Sequence, residues 1–176
     1  MHLPMMLDIA IEAPWPPETD WAALAEAALA ATTEQAGELA NARLSASLVF
    51  ADDAEVQALN AEWRGKDKPT NVLSFPMIER EALLALAADG PPEMLGDMVL
   101  ALETCAREAG EKGVALADHA THLIVHGLLH LAGLDHEISP ADARAMEELE
   151  IKALARLGIA DPYGDHADTA PIDQAE

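Results

Sequence analysis

Of the seven histidines in this chain, five fall between residues 119 and 136. The densest stretch, residues 126–136, reads HGLLHLAGLDH. Positions i and i+4 share one face of a helix. His126 and His130 therefore point the same way, about one turn apart, as two imidazoles converging on one ion would. His119 and His122 fall within a narrow arc of that face. A buried imidazole needs hydrogen-bond partners, so four on one stripe of an apolar helix are hard to explain as packing, although a lone one would read as a satisfied core residue. Gly133 can take the left-handed conformation that ends a helix and reverses the chain, and His136 follows three residues later. Two ligands on a helix, a glycine turn and a returning histidine make a three-histidine site with one position open. That is the catalytic form of a zinc site, not the closed four-ligand structural form. Asp135 can orient a ligand or hold bound water, and it serves equally well as a turn residue.

The spacing is that of the metzincin peptidases, H-E-x-x-H-x-x-G-x-x-H, in which glutamate is the general base. Here that position is Gly127, which has no proton acceptor. Such a site keeps the metal's ability to lower the pKa of water to about 7 and to act as a Lewis acid, but it lacks the peptidase base. Phosphodiester hydrolysis fits better, because a metal and a nearby cation can carry much of that reaction. The cation is available. Of ten basic residues, Arg64, Lys66 and Lys68 fall within the stretch RGKDK. As a charge cluster alone, that stretch reads as a solvated loop.

The elements that must position these residues follow from patterning. Residues 7–13 and 44–50 alternate as strands, 71–76 and 95–102 read as two more, and 79–91 look like an excursion or hairpin tip. Helical spacing runs from Trp21 to about 40 after a cap at Thr19 or Asp20, through Val56, Leu59 and Trp63 after Asp52 or Asp53, and over 103–112 and 117–132. Ser139-Pro140-Ala141-Asp142 is a strong start signal for a last helix carrying Met146, Leu149, Ala153 and Leu157. The expectation is one α+β domain over 1–160, with a small mixed sheet of about four strands packed with helices and the metal site at the end of a central helix. Residues 161–176, acidic and nearly devoid of large apolar groups, read as a disordered tail in which His166 has no role.

Composition limits the function classes. The 176 residues suit one domain with a core. No apolar run approaches a membrane span, and the N-terminus lacks the pattern of a secretory signal. The single cysteine, Cys105, excludes an internal disulfide framework and fits a reducing cytoplasm. It also leaves histidine and carboxylate as the ligands of any metal. The net charge of −22 argues against nucleic acid held by the protein's own field, yet a local basic patch can still hold a phosphate backbone.

These blocks together resemble the YbeY family of bacterial zinc-dependent endoribonucleases. HGLLHLAGLDH is similar to the family's H-G-x-L-H-L-x-G-[YF]-D-H, with Leu134 where an aromatic is usual. LNAEWRGKDKPTNVLSFP (59–76) is similar to a block that usually ends T-D-V-L-S-F, with Asn71 in place of aspartate. LGDMVLA (95–101) resembles the family's L-G-D-I strand. The resemblance implies one zinc per chain on His126, His130 and His136, and Arg64 as the important cation of the active cleft. It places His122, and less firmly His119, as lining groups near the metal. It implies cleavage of single-stranded RNA, 16S ribosomal RNA 3′-end maturation and contact with the small ribosomal subunit and its proteins, in the cytoplasm, without DNA or membrane. Lys66 and Lys68 would hold the RNA backbone. The Asn71 departure puts any role of that position in doubt, and Leu134 bears on packing. Two other readings compete. One is a metzincin-like zinc peptidase, motivated by the spacing and opposed by Gly127. The other is a ribosome-assembly factor with a largely structural zinc, suited by its acidic surface to basic ribosomal proteins.

Overall fold

A computed structural model of the chain describes residues 4–135 and 139–164. Period-two patterning builds its sheet. In β2 (Leu44–Ala51) Leu44, Ala46, Leu48 and Phe50 are buried, with partly exposed residues between them. β4 (Glu93–Ala101) is buried almost continuously from Leu95, as a strand covered on both faces should be. β1 (Met6–Ile11) and β3 (Val72–Pro76) are the edges of the order β1-β2-β4-β3. The first three of these strands run parallel, and β3 lies antiparallel to β4.

Six helices flank the sheet. They are α1 (Trp21–Gln35), α2 (Asp53–Arg64), α3 (Arg80–Leu84), α4 (Leu102–Lys112), α5 (Leu116–Leu131) and α6 (Pro140–Arg156). The start signals act as the sequence predicts. Asp20 accepts from Ala23 N at 3.0 Å, Asp52 from Glu55 N at 2.9 Å and Ser139 from Asp142 N at 3.1 Å. Each satisfies a donor that a helix start leaves open. α1 stops at Gln35, short of 40, and gives way to a 3-10 turn at Gly37–Leu39. The 79–91 excursion contains α3, anchored by buried Leu83. Among the described residues no helix is long and apolar enough to cross a membrane.

The two sheet faces are unequal. Val72, Met98 and Leu100 face the main core, shared with α1, α5 and α6, while Leu73, Val99 and Ala101 face a small cluster completed by Val56 of α2. Every residue of α5 from His119 to Leu131 is buried, because α1, α6, α4, β3 and β4 all pack on it. This central helix carries the histidine stripe.

Candidate metal centre

The four helical histidines do not share one environment. All are buried, His130 least so at 7% exposed. His119 Nε2 lies 2.8 Å from Glu108 Oε1 on α4, which also accepts from Asn71 Nδ2 at 3.0 Å. His122 Nε2 and His126 Nδ1 lie 2.8 and 2.9 Å from the two oxygens of Glu150 on α6. His130 Nδ1 meets Ser74 Oγ of β3 at 2.5 Å. The stripe is therefore divided between two carboxylates and a hydroxyl.

Glu150 fixes the chemistry of this cluster. It is 1% exposed, and burial alone would raise its pKa, but His126 and His122 beside it outweigh that and bring it to about 2. It is thus an anion that only accepts. Burial lowers the His122 pKa, so that ring is neutral and donates its Nε2–H. Tyr163 Oη donates to Glu150 Oε1 at 2.6 Å, and burial holds the phenol protonated by raising its pKa. Glu150 Oε2 can only accept, so His126 donates its Nδ1–H to it, and in that tautomer Nε2 is the ring's acceptor nitrogen. A carboxylate gripping the far nitrogen of an imidazole is the usual partner of a metal-binding histidine. Ser74 Oγ can accept from His130 Nδ1–H, and in that tautomer Nε2 is the nitrogen that would face a metal. The donor set of His126 and His130 thus fits a metal.

The third expected ligand, His136, lies outside the described residues. Among those described, no group of three or more His, Cys, Asp or Glu side chains is placed to hold a metal ion. The turn that leads to His136 is described and behaves as expected. Gly133 has φ +93°, its N–H donates to His130 O at 2.9 Å, and Leu134 N donates to Leu129 O at 3.1 Å. Arg80 of α3 holds this end of α5 by donating to Ala132 O at 2.7 Å and to Glu38 at 2.9 Å. Asp135 follows, partly buried. Leu134 packs on the main core.

Gly127 has a structural reason of its own. A Cβ there would sit 2.6 Å from Met98 Sδ, with Val72 Cγ2 at 3.9 Å. The position faces the sheet, and α5 lies against β4 because no side chain intervenes. A glutamate at 127 would be driven into that contact, so the missing peptidase base reflects packing as well as chemistry.

The basic loop is built from α2. Arg64 is the last residue of α2, and its Nη1 is buried with no hydrogen-bond partner among the described residues. Buried Asn60 pins the loop. Its Nδ2 donates to Lys68 O at 2.9 Å, and its backbone carbonyl accepts from Lys66 N at 3.2 Å. Gln57 reaches Asp67 Oδ1 at 3.0 Å. Lys66 and Lys68 are exposed. The loop runs through Asn71, which bonds Glu108, straight into β3, whose Ser74 bonds His130. Among the described residues, neither Arg64 nor Lys66 makes a hydrogen bond or ion pair with a histidine. β3 is what ties the basic loop to the stripe.

Sequence patterning does not single out Glu150 or Tyr163 as site residues. The signal for Glu150 was present, since it lies on the buried face of α6 between Met146 and Ala153 and Leu154. A charged residue in an apolar stripe is a buried group with a partner. Tyr163 lies in the segment 161–176, whose composition reads as a tail. Its first residues, Asp161 to Gly164, are instead held on the domain. Asp161 Oδ1 accepts from Tyr163 N and Gly164 N at 2.7 and 3.0 Å, which turns the phenol inward. Residues 165–176, including His166, lie outside the described residues.

The family model described as endoribonuclease YbeY matches residues 11–158. The curated endoribonuclease YbeY of Erythrobacter litoralis is 61% identical over 161 residues, covering 92% of this chain and 99% of the relative. That of Novosphingobium aromaticivorans is 58% identical over 159 residues, covering 90% and 95%. A solution structure of a Thermotoga maritima protein, 20% identical, covers 94% of this chain and 100% of that one with a TM-score of 0.56, a likeness of fold.

Proposed function

Because the chain belongs to the endoribonuclease YbeY family, we propose that it is a metal-dependent endoribonuclease cutting single-stranded RNA, with zinc on His126, His130 and His136. One observation carries this most directly. Two histidines a turn apart each have Nδ1 engaged, one by the acceptor-only Glu150 carboxylate and one by the Ser74 hydroxyl, which can accept in the same way, so that both can present Nε2 to one ion. Bound there, a zinc ion supplies Lewis-acid polarisation of a phosphodiester.

The remaining roles belong to the chain itself. Glu150 keeps His126 in its ligating tautomer, and Ser74 sets the ring plane of His130. Arg64 stabilises charge on the phosphate. No described residue accepts from its Nη1, and a guanidinium matches a phosphate bidentately. Lys66 and Lys68, exposed on a loop pinned by Asn60, hold the backbone on either side. Asp135, one residue before His136, orients that ligand. The natural substrate is the 3′ end of 16S ribosomal RNA, on the small ribosomal subunit, in the cytoplasm. The charge of −22 favours a nuclease guided to its RNA by basic ribosomal proteins over one that relies on its own field.

Purified protein is incubated with a single-stranded RNA, with and without a chelator. Cleavage is expected to stop with chelator and to fall by orders of magnitude in Arg64→Ala and His130→Ala. Equal cleavage by wild type and both variants defeats the assignment. Mapping 16S 3′ ends in cells carrying His130→Ala tests the ribosomal role, and normal ends remove it.

A further inference from the structure

The metal-binding histidine His126 depends on a residue that the family match does not reach. The match ends at residue 158, and beyond it Tyr163 returns to the buried carboxylate. Its hydroxyl donates to Glu150 Oε1 at 2.6 Å and lies 3.1 Å from His122 Nε2, 41 residues away in sequence. The phenol packs edge-on to the His122 ring at a centroid distance of 5.3 Å. Glu150 Oε1 thus accepts from both Tyr163 and His122, leaving Oε2 to His126 alone.

We propose that Tyr163 is a positioning residue for the metal site, and that docking of the segment Asp161–Gly164 and metal binding at His126 stabilise one another. This rests on the reading of His126 as a metal ligand. The reasoning is one of shared geometry. A carboxylate at the end of a long side chain rotates unless both oxygens are held. Tyr163 and His122 hold one oxygen, so the other is presented to His126 at a fixed angle, and His126 presents Nε2 in turn. A metal on Nε2 makes Nδ1–H a stronger donor, which tightens Glu150 and the phenol behind it. Coupling of this kind is reciprocal: the factor by which the docked segment raises metal affinity is the factor by which metal favours docking. Partners one bond removed from a ligand typically change metal affinity by 10- to 100-fold.

Tyr163 is the chain's single tyrosine, so it can be observed alone. Full-length protein labelled with 3-fluorotyrosine gives one 19F resonance. Zinc is titrated into chelator-treated wild type, Tyr163→Phe and a chain ending at Ala160, with zinc affinity measured by competition against a chromophoric chelator. Circular dichroism verifies that each apo-protein is folded. The expected result is a zinc-dependent shift or narrowing of the resonance in wild type. Affinity should be roughly tenfold weaker in Tyr163→Phe and at least as weak in the truncated chain. A purely structural tyrosine would lower stability without responding to zinc. If wild type binds zinc while its resonance does not change and Tyr163→Phe binds equally tightly, the inference is overturned and the metal reading stands. If wild type binds no zinc, both fall.

Discussion

Gly127→Ala separates packing from propensity by sign. In a helix interior, alanine is favoured over glycine by about 0.5–1 kcal/mol, so propensity alone makes this variant more stable. The packing opposes it. The new Cβ would lie 2.6 Å from Met98 Sδ, about 1 Å inside an ordinary contact. Met98 is fully buried, so its flexible end can yield only into the surrounding core. Inserting a methyl into a filled core typically costs about 1–3 kcal/mol. The net expectation is destabilisation of up to about 2 kcal/mol, or some 2–4 °C in melting temperature per kcal/mol for a domain this size. Urea unfolding of the chelator-treated protein measures it. Met98→Ala serves as the second background, since it removes the sulfur that the methyl meets. There Gly127→Ala is expected to be neutral or stabilising, with a coupling of at least about 1 kcal/mol between the sites. Gly127→Ala stabilising by the same amount in both backgrounds would refute the close approach of α5 to β4. Gly127→Glu, which restores the metzincin letter, is expected to unfold the domain rather than create a peptidase. Its carboxylate would start from the same crowded Cβ, in apolar surroundings.

Other perturbations test other parts. Glu108, raised by burial but lowered further by His119 and Asn71, ends below its ordinary pKa. It therefore stabilises the fold above pH 4.5 and loses that contribution as pH falls through its folded value. Glu108→Gln should accordingly be destabilising at pH 7 by urea unfolding, with the difference closing in acid; a difference independent of pH defeats this. Cys105, fully buried and with its pKa raised by that burial, is expected to ignore Ellman's reagent in the native protein and to react with one equivalent in denaturant; fast native reaction contradicts the burial. Ser139→Ala removes the cap of the helix that carries Glu150 and should cost about 1 kcal/mol in urea unfolding. A cost near zero would mean that the N-terminus of α6 is satisfied in some other way.

What the sequence revealed was local, and what it hid was distant. The i, i+4 pair, the Gly133 turn and the caps at Asp20, Asp52 and Ser139 are all decided within a few residues, so spacing and turn chemistry disclose them. The four histidines look equivalent on a helical projection because the projection contains only α5. Their separation is made by Glu108, Glu150 and Ser74, on three other elements, and Glu150 lies 24 residues from His126. α3 leaves no pattern in the sequence because a five-residue helix is too short for its period to show. Gly127 could be read chemically from a motif, but its steric reason needed the neighbouring strand.

The strand order sets how this domain reaches its native state. β2 lies between β1 and β4, and its Ser47 bonds Asp97 of β4, 50 residues further along. Chain closure over such spans must precede the contacts that reward it, and sheets dominated by distant pairing fold in milliseconds to seconds where helices form in microseconds. β3 has only β4 as a strand neighbour, and β3 supplies Ser74 to His130. In refolding from denaturant, helical signal should return well before His130 acquires its hydrogen bond to Ser74, which joins residues 56 apart in sequence.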